Sequence, residues 1–196
     1  MPSAGTATSV AELNLLGGDP ALDFANTIEW RDGRDPLDLL RTPGDLVAWA
    51  SRAGLPIGPV RASGDLDEAT ALREHVHDAF RAIARAEQPD ATDLEAIAHA
   101  ASAALRAATL TPVDGAWLPR WPGAGVEAVG HAVALAALAL LGDPERLAMV
   151  RRCDGDSCGW LFVDASRNHR RRWCSMAGCG SRAKMRRAYA RRSAAG

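Results

Sequence analysis

The chain has 196 residues, 47% of them hydrophobic and 24% charged, with a net charge of −1. That is enough apolar material for one core of ordinary size, or one domain with a small appendage. No apolar run approaches the roughly 20 residues that span a bilayer, which excludes a transmembrane helix.

The near-zero charge hides a split. Residues 151–196 hold twelve Lys+Arg against three Asp+Glu, whereas residues 1–150 hold eleven against twenty-one. Such asymmetry predicts an anion-binding segment on an acidic body.

Residues 1–12 are small and polar, and are expected to be a loose start. "MPSAGTATSVAELNLLGGD" lacks the basic start and apolar core of a signal peptide. The protein is therefore expected in the cytoplasm, where thiols stay reduced.

In "GGDPALDFANTIEW", Asp19 can cap and Pro20 can open a helix, with Leu22, Phe24, Ala25 and Ile28 at helical spacing. "RDGRD" reads as a turn. A short helix is predicted from about Asp45 to Gly54, with the glycine at C′. The longest amphipathic helix is "DLDEATALREHVHDAFRAIARAE", with Leu66, Ala69, Leu72, Val76, Ala79, Phe80 and Ile83 as its apolar stripe. Gln88-Pro89-Asp90 breaks it, and "DATDLEAIAHAASAAL" resumes helix. "TLTPVDGAWLPRWPG" reads as a short hairpin. "VEAVGHAVALAALALLGDPERLAMV" reads as a buried helix followed by a short one. Abundant alanine and sparse β-branched residues make the body mainly α. The boundary falls near Met149: a helical body over 1–149 and a Cys/Arg-rich module over 150–196.

All four cysteines lie in that module, spaced C-x4-C, fifteen residues, C-x4-C. Four thiolates complete a tetrahedral zinc shell with no open position. Two disulfides or four unrelated buried cysteines are the competing readings; two symmetric pairs in a reducing compartment favour one structural zinc ion. "WLFVD" has strand character, and "HRRRWC" is expected to return as the second strand. After Cys174, Ser175 is a reasonable N-cap for a helix that becomes regular near Ser181, past Gly178 and Gly180. Met185, Ala188 and Tyr189 form its apolar strip. Hairpin plus helix is a treble-clef-like arrangement. The segment is too short and polar to hold itself together without metal.

"RRCDGDSCGWLFVDASRNHRRRWCSMAGCGSRAKMRRAYARR" resembles the CGNR zinc-finger family, and "LNLLGGDPALDFANTIEWR" resembles the ABATE domain that accompanies that finger. The family carries the label of stress-induced transcription regulator. The resemblance implies zinc ligands at Cys153, Cys158, Cys174 and Cys179. It places the signature on Cys179-Gly180-Ser181-Arg182, where Ser181 replaces the family's asparagine. It also implies a bacterial-type regulator of transcription.

Arg167, Arg170, Arg171 and Arg172 fall on the expected hairpin. Arg182, Lys184, Arg186, Arg187, Arg191 and Arg192 fall on the expected helix. Arginine forks suit phosphates, so DNA is the expected partner. A zinc-stabilised protein-interaction or RNA-binding module is the alternative. Asp23 and Asn26 either line a small-molecule effector pocket or bridge neighbouring helices, the latter favoured. Trp117 and Trp121 either roof a pocket or pack. His75 and His77 are expected at the surface. The body is expected to sense a ligand or mediate homodimerisation, with no membrane partner. With no phosphate loop, nucleophile elbow or His-pair metal motif, no catalytic set is expected and the protein is not read as an enzyme.

Overall fold

The computed structural model describes residues 7–193; residues 1–6 of the expected loose start lie outside them, as do residues 194–196. Residues 7–12 are not loose. Ala7 and Val10 are buried, and the Ala7 N–H donates to Glu29 Oε1 at 3.2 Å.

Helix α1 (Pro20–Ala25) begins where Asp19 accepts the Ala21 N–H. It stops at Asn26, earlier than the spacing of Ile28 implies. The Thr27 hydroxyl donates to Phe24 O at 2.8 Å and closes that turn. Ile28 instead lies in β1 (Ile28–Glu29), antiparallel to β2 (Leu37–Asp38). Helix α2 (Pro43–Arg52) carries a capping box between Thr42 and Asp45. It ends before Gly54, whose φ of 65° is the left-handed C′ conformation.

Helix α3 (Asp67–Ala84) buries Ala69, Leu72, Val76, Ala79 and Phe80 of its expected stripe. It also buries His77, which was expected at the surface. Its Nδ1 lies 3.1 Å from Asp78 and its Nε2 3.4 Å from Gly159 O. Helix α4 (Ala91–Ala107) follows the Asp90 cap. Strands β3 (Thr109–Val113) and β4 (Ala116–Arg120) form the hairpin. Its turn, Asp114-Gly115, has φ values of 48° and 83°, as a type I′ turn demands. Helices α5 (Glu127–Leu141) and α6 (Pro144–Leu147) follow.

Helix α5 is central, with α1, α3 and α4 packed on it. Its small buried residues, Ala128, Ala134 and Ala137, allow close approach. The last part of the chain contributes β5 (Val150–Arg152), β6 (Leu161–Val163), a π-helical turn (Met176–Gly180) and α7 (Ser181–Ser193).

Strand β6 pairs with β5, not with "HRRRWC". That stretch offers no alternating apolar face. Its start is held in a loop by the buried Asp164 carboxylate, which accepts from Ser166 N–H (3.0 Å) and Arg171 N–H (2.8 Å). The β5–β6 hairpin packs on α1 and α3. Val150, Leu161 and Phe162 share one core with Phe24, Val76 and Phe80. Fully burying a Leu or Phe stabilises by about 1.5–3 kcal/mol. The cysteine-rich module is therefore welded to the helical body.

Candidate metal centre and basic face

The cage is assembled from two short segments. Cys153 follows β5, and its N–H continues the ladder to Trp160 O at 2.8 Å. Cys158 lies in the hairpin loop, its N–H on Gly155 O at 3.0 Å. Asp154 N–H donates to Arg172 O at 2.8 Å, drawing the second segment alongside. There Ser175 Oγ accepts the Gly178 N–H at 3.1 Å and caps the π-helical turn that carries Cys179. Ser181 Oγ donates to Met176 O at 3.0 Å across the same turn.

All four sulfurs are buried and lie within 4.8 Å of one another. Sulfurs bound to one tetrahedral zinc ion at about 2.3 Å stand about 3.8 Å apart. Cys158 and Cys174 are 3.7 Å apart, as are Cys174 and Cys179. The geometry fits one structural Zn2+. Amide N–H groups of Gly155 (3.4 Å) and Cys174 (3.3 Å) point at Cys153 Sγ. Arg182 Nη2 lies 3.0 Å from Cys179 Sγ.

The thiols also show why a cation belongs there. Their neighbours, Cys153 first, push Cys158 and Cys174 above the ordinary thiol range. The same neighbours, again Cys153 first and Arg182 last, pull Cys179 down. So crowded a set does not ionise together by itself, whereas a divalent cation makes four thiolates favourable. Gly155 leaves the room: a Cβ there would stand 2.9 Å from Cys179 Sγ.

The ten basic residues separate into groups. Arg171 is held within the fold: its guanidinium lies over Phe162 at 4.2 Å and bonds Trp173 O (3.0 Å) and Cys174 O. Arg182 bonds Cys179 and stacks on Trp30. Arg172 pairs with Asp154 and Arg186 with Asp156, all four exposed. Arg167, Arg170, Lys184, Arg187, Arg191 and Arg192 are exposed and have no acidic partner among the described residues. Lys184, Arg187 and Arg191 recur at i, i+3 and i+7, one stripe of α7. None of α7 is buried; Met185 and Tyr189 are 64% and 74% exposed.

Asn26 is 1% exposed. Its Nδ2 donates to Leu161 O at 2.8 Å and its Oδ1 accepts the Leu161 N–H at 2.9 Å. Asp23 Oδ1 accepts the Gly17 N–H at 2.7 Å. Trp121 is buried, with Nε1 on Ala104 O at 3.0 Å, whereas Trp117 is exposed.

An open cleft of about 660 Å3 lies elsewhere, between the β2 end and α3, lined by Asp38, Arg41, Asp67, Arg73 and Glu74 among others. At its floor the buried Arg73 makes a fork with Asp38 (2.8 and 2.7 Å) and bonds Glu74 (2.9 Å). Glu74 also pairs with Arg31. These cations hold the Glu74 carboxyl low against its burial. No periodicity flags this cleft, because its residues come from separate elements.

Among the described residues no helix is long and apolar enough to cross a membrane. Comparison with known proteins gives two matches. Residues 18–144 match the ABATE family model, described as "Putative stress-induced transcription regulator", and residues 149–192 match the CGNR zinc finger. Neither family is one of enzymes. No curated protein matches the chain.

Proposed function

Because the chain belongs to the ABATE family and carries a CGNR zinc finger, we propose that it is a cytoplasmic, non-enzymatic, DNA-binding transcription regulator. The single observation that carries the DNA reading is the exposed basic stripe of α7, Lys184, Arg187 and Arg191, on a helix that buries nothing of its own. The zinc ion supplies the fold of the module. Arginine forks on α7 then meet phosphate oxygens, with Arg167 and Arg170, exposed in the loop after β6, as further contacts. Arg192 lies beside the stripe. Arg172 and Arg186 can exchange their exposed carboxylate partners for phosphates, since such pairs are weakly held. Arg171 and Arg182 serve the fold instead.

The body is the regulatory part. The cleft above Arg73 is the site for a small effector, and its charge chain through Glu74 and Arg31 leads toward the module. Asn26 acts in holding the body to the module through Leu161, and Asp23 in holding Gly17 within the body. Homodimerisation through the body is a further element of this reading.

The test is fluorescence anisotropy of the full, zinc-loaded chain on duplex DNA across a salt series. Binding that weakens steeply with salt, and less steeply after charge reversal at Arg187 and Arg191, supports the reading. Undetectable or salt-independent binding overturns it. The exposed Met185 and Tyr189, one turn apart on α7, favour a second reading as a protein- or RNA-interaction module. Capture of such a partner without DNA affinity selects that alternative.

A further inference from the structure

Residues 28–33 run along the hairpin loop that carries Cys158. Trp160 Nε1 donates to Ile28 O at 3.0 Å. Arg152 pairs with Asp32. A Cβ on Gly159 would stand 3.0 Å from Arg31 Cβ, and one on Gly33 3.3 Å from Ser157 Cβ. Within this segment Trp30 has a φ of 55°. That left-handed conformation is a true outlier for a bulky residue and persists only where its surroundings enforce it.

The strained backbone holds the indole beneath Arg182, whose guanidinium carbon lies 4.6 Å from the ring centroid. The same guanidinium points Nη2 at Cys179 Sγ, 3.0 Å away. A ring face on one side and a sulfur at the end fix a side chain that otherwise samples many rotamers. We infer that Trp30 is a positioning residue of the zinc centre, acting through Arg182 on Cys179 and so tying metal affinity to the N-terminal body. Groups that orient a metal ligand typically change affinity by about 10–100-fold when removed. The indole lies more than a hundred residues from the cysteines in sequence.

The test uses the full chain. Zinc affinity is read by competition with a chromophoric chelator, and the Co2+-loaded protein reports its thiolate-to-metal charge-transfer band. Trp30→Gly suits the left-handed backbone and removes only the ring, so the fold is kept. We expect W30G to lose about 10-fold in affinity, W30F to stay near wild type, and R182K to match W30G, because an ammonium lacks the planar fork. The charge-transfer band should shift in the same direction in W30G and R182K. In a double-mutant cycle W30G should add nothing to R182Q. Wild-type affinity and band position in W30G, or losses that add in the cycle, would overturn the inference.

Discussion

Asn26 and Leu161 form a closed pair of hydrogen bonds, 2.8 and 2.9 Å, across 135 residues of sequence. The carboxamide imitates a strand neighbour for the first residue of β6. Asn26→Ala leaves a buried N–H and a buried C=O without partners, at about 1–3 kcal/mol each. Denaturant unfolding should show a loss of roughly 2–4 kcal/mol with an unchanged slope. Asn26→Asp should be no milder, since it sets a carboxylate oxygen against the Leu161 carbonyl.

Zinc removal should be felt by the whole protein. Phe162 and Leu161 belong to the same core as Phe24 and Phe80, so the metal's contribution is not confined to the tail. Calorimetry with excess chelator should show the main transition moved down, rather than a small separate one. Cys158→Ser should reproduce the shift without chelator. Gly155→Ala, whose Cβ meets Cys179 Sγ, should weaken zinc while leaving the helical signal intact.

The arginines should divide by experiment as they do by their neighbours in the fold. Alanine at Lys184, Arg187 and Arg191 should leave folding stability unchanged within about 0.5 kcal/mol. It should lower the salt slope of duplex binding by about 0.9 for each phosphate no longer neutralised. Arg171→Ala should do the reverse. It removes the cation over Phe162 and the donors to Trp173 O and Cys174 O, so thermal stability falls before any effect on DNA.

Asp23 sets a pH dependence. Burial raises its carboxyl to about 6, against the Gly17 N–H bond and aided by the Asp19 charge. Unfolded, it titrates near 3.9. Between those values the folded chain keeps a proton that the unfolded chain releases. This contribution to stability is full below about pH 4 and lost as pH climbs through 6. Asp23→Asn keeps the acceptor and removes the charge. Its melting temperature should vary less than wild type's between pH 4 and 7. At pH 7.5 it should be the more stable, by on the order of 2 kcal/mol.

Helices, caps and the cysteine cage were legible because each rests on local chemistry. Asp19 caps the segment it precedes, and Gly178 and Gly180 delay the regular helix to Ser181, whereas the Thr42 and Asp90 caps appear only in the structure. Strand pairing was less legible. The partner of β6 is decided by Asp164 turning the chain after it, and a single carboxylate gives no periodic signal. The division of the arginines was not legible either. Arg171 and Arg187 look alike in sequence, and only the folded contacts of Arg171 with Phe162, Trp173 O and Cys174 O separate an anchor from an exposed arginine. The burial of His77 gives no sequence signal for a similar reason: the carbonyl its Nε2 approaches, Gly159 O, is distant in sequence.

The bond between Asn26 and Leu161 also bears on the order of synthesis. Helix α1 is made well before β6, and the side chain of Asn26, its C-cap, cannot meet Leu161 until about 135 further residues are polymerised. At about 5–20 residues per second, that is on the order of ten seconds. Helices α3 to α5 can gather during this interval. The groove that receives Leu161 and Phe162 stays open to water throughout it. The nascent chain thus carries an exposed apolar seam until β6 is made, and zinc capture can come only after Cys174 and Cys179 follow it.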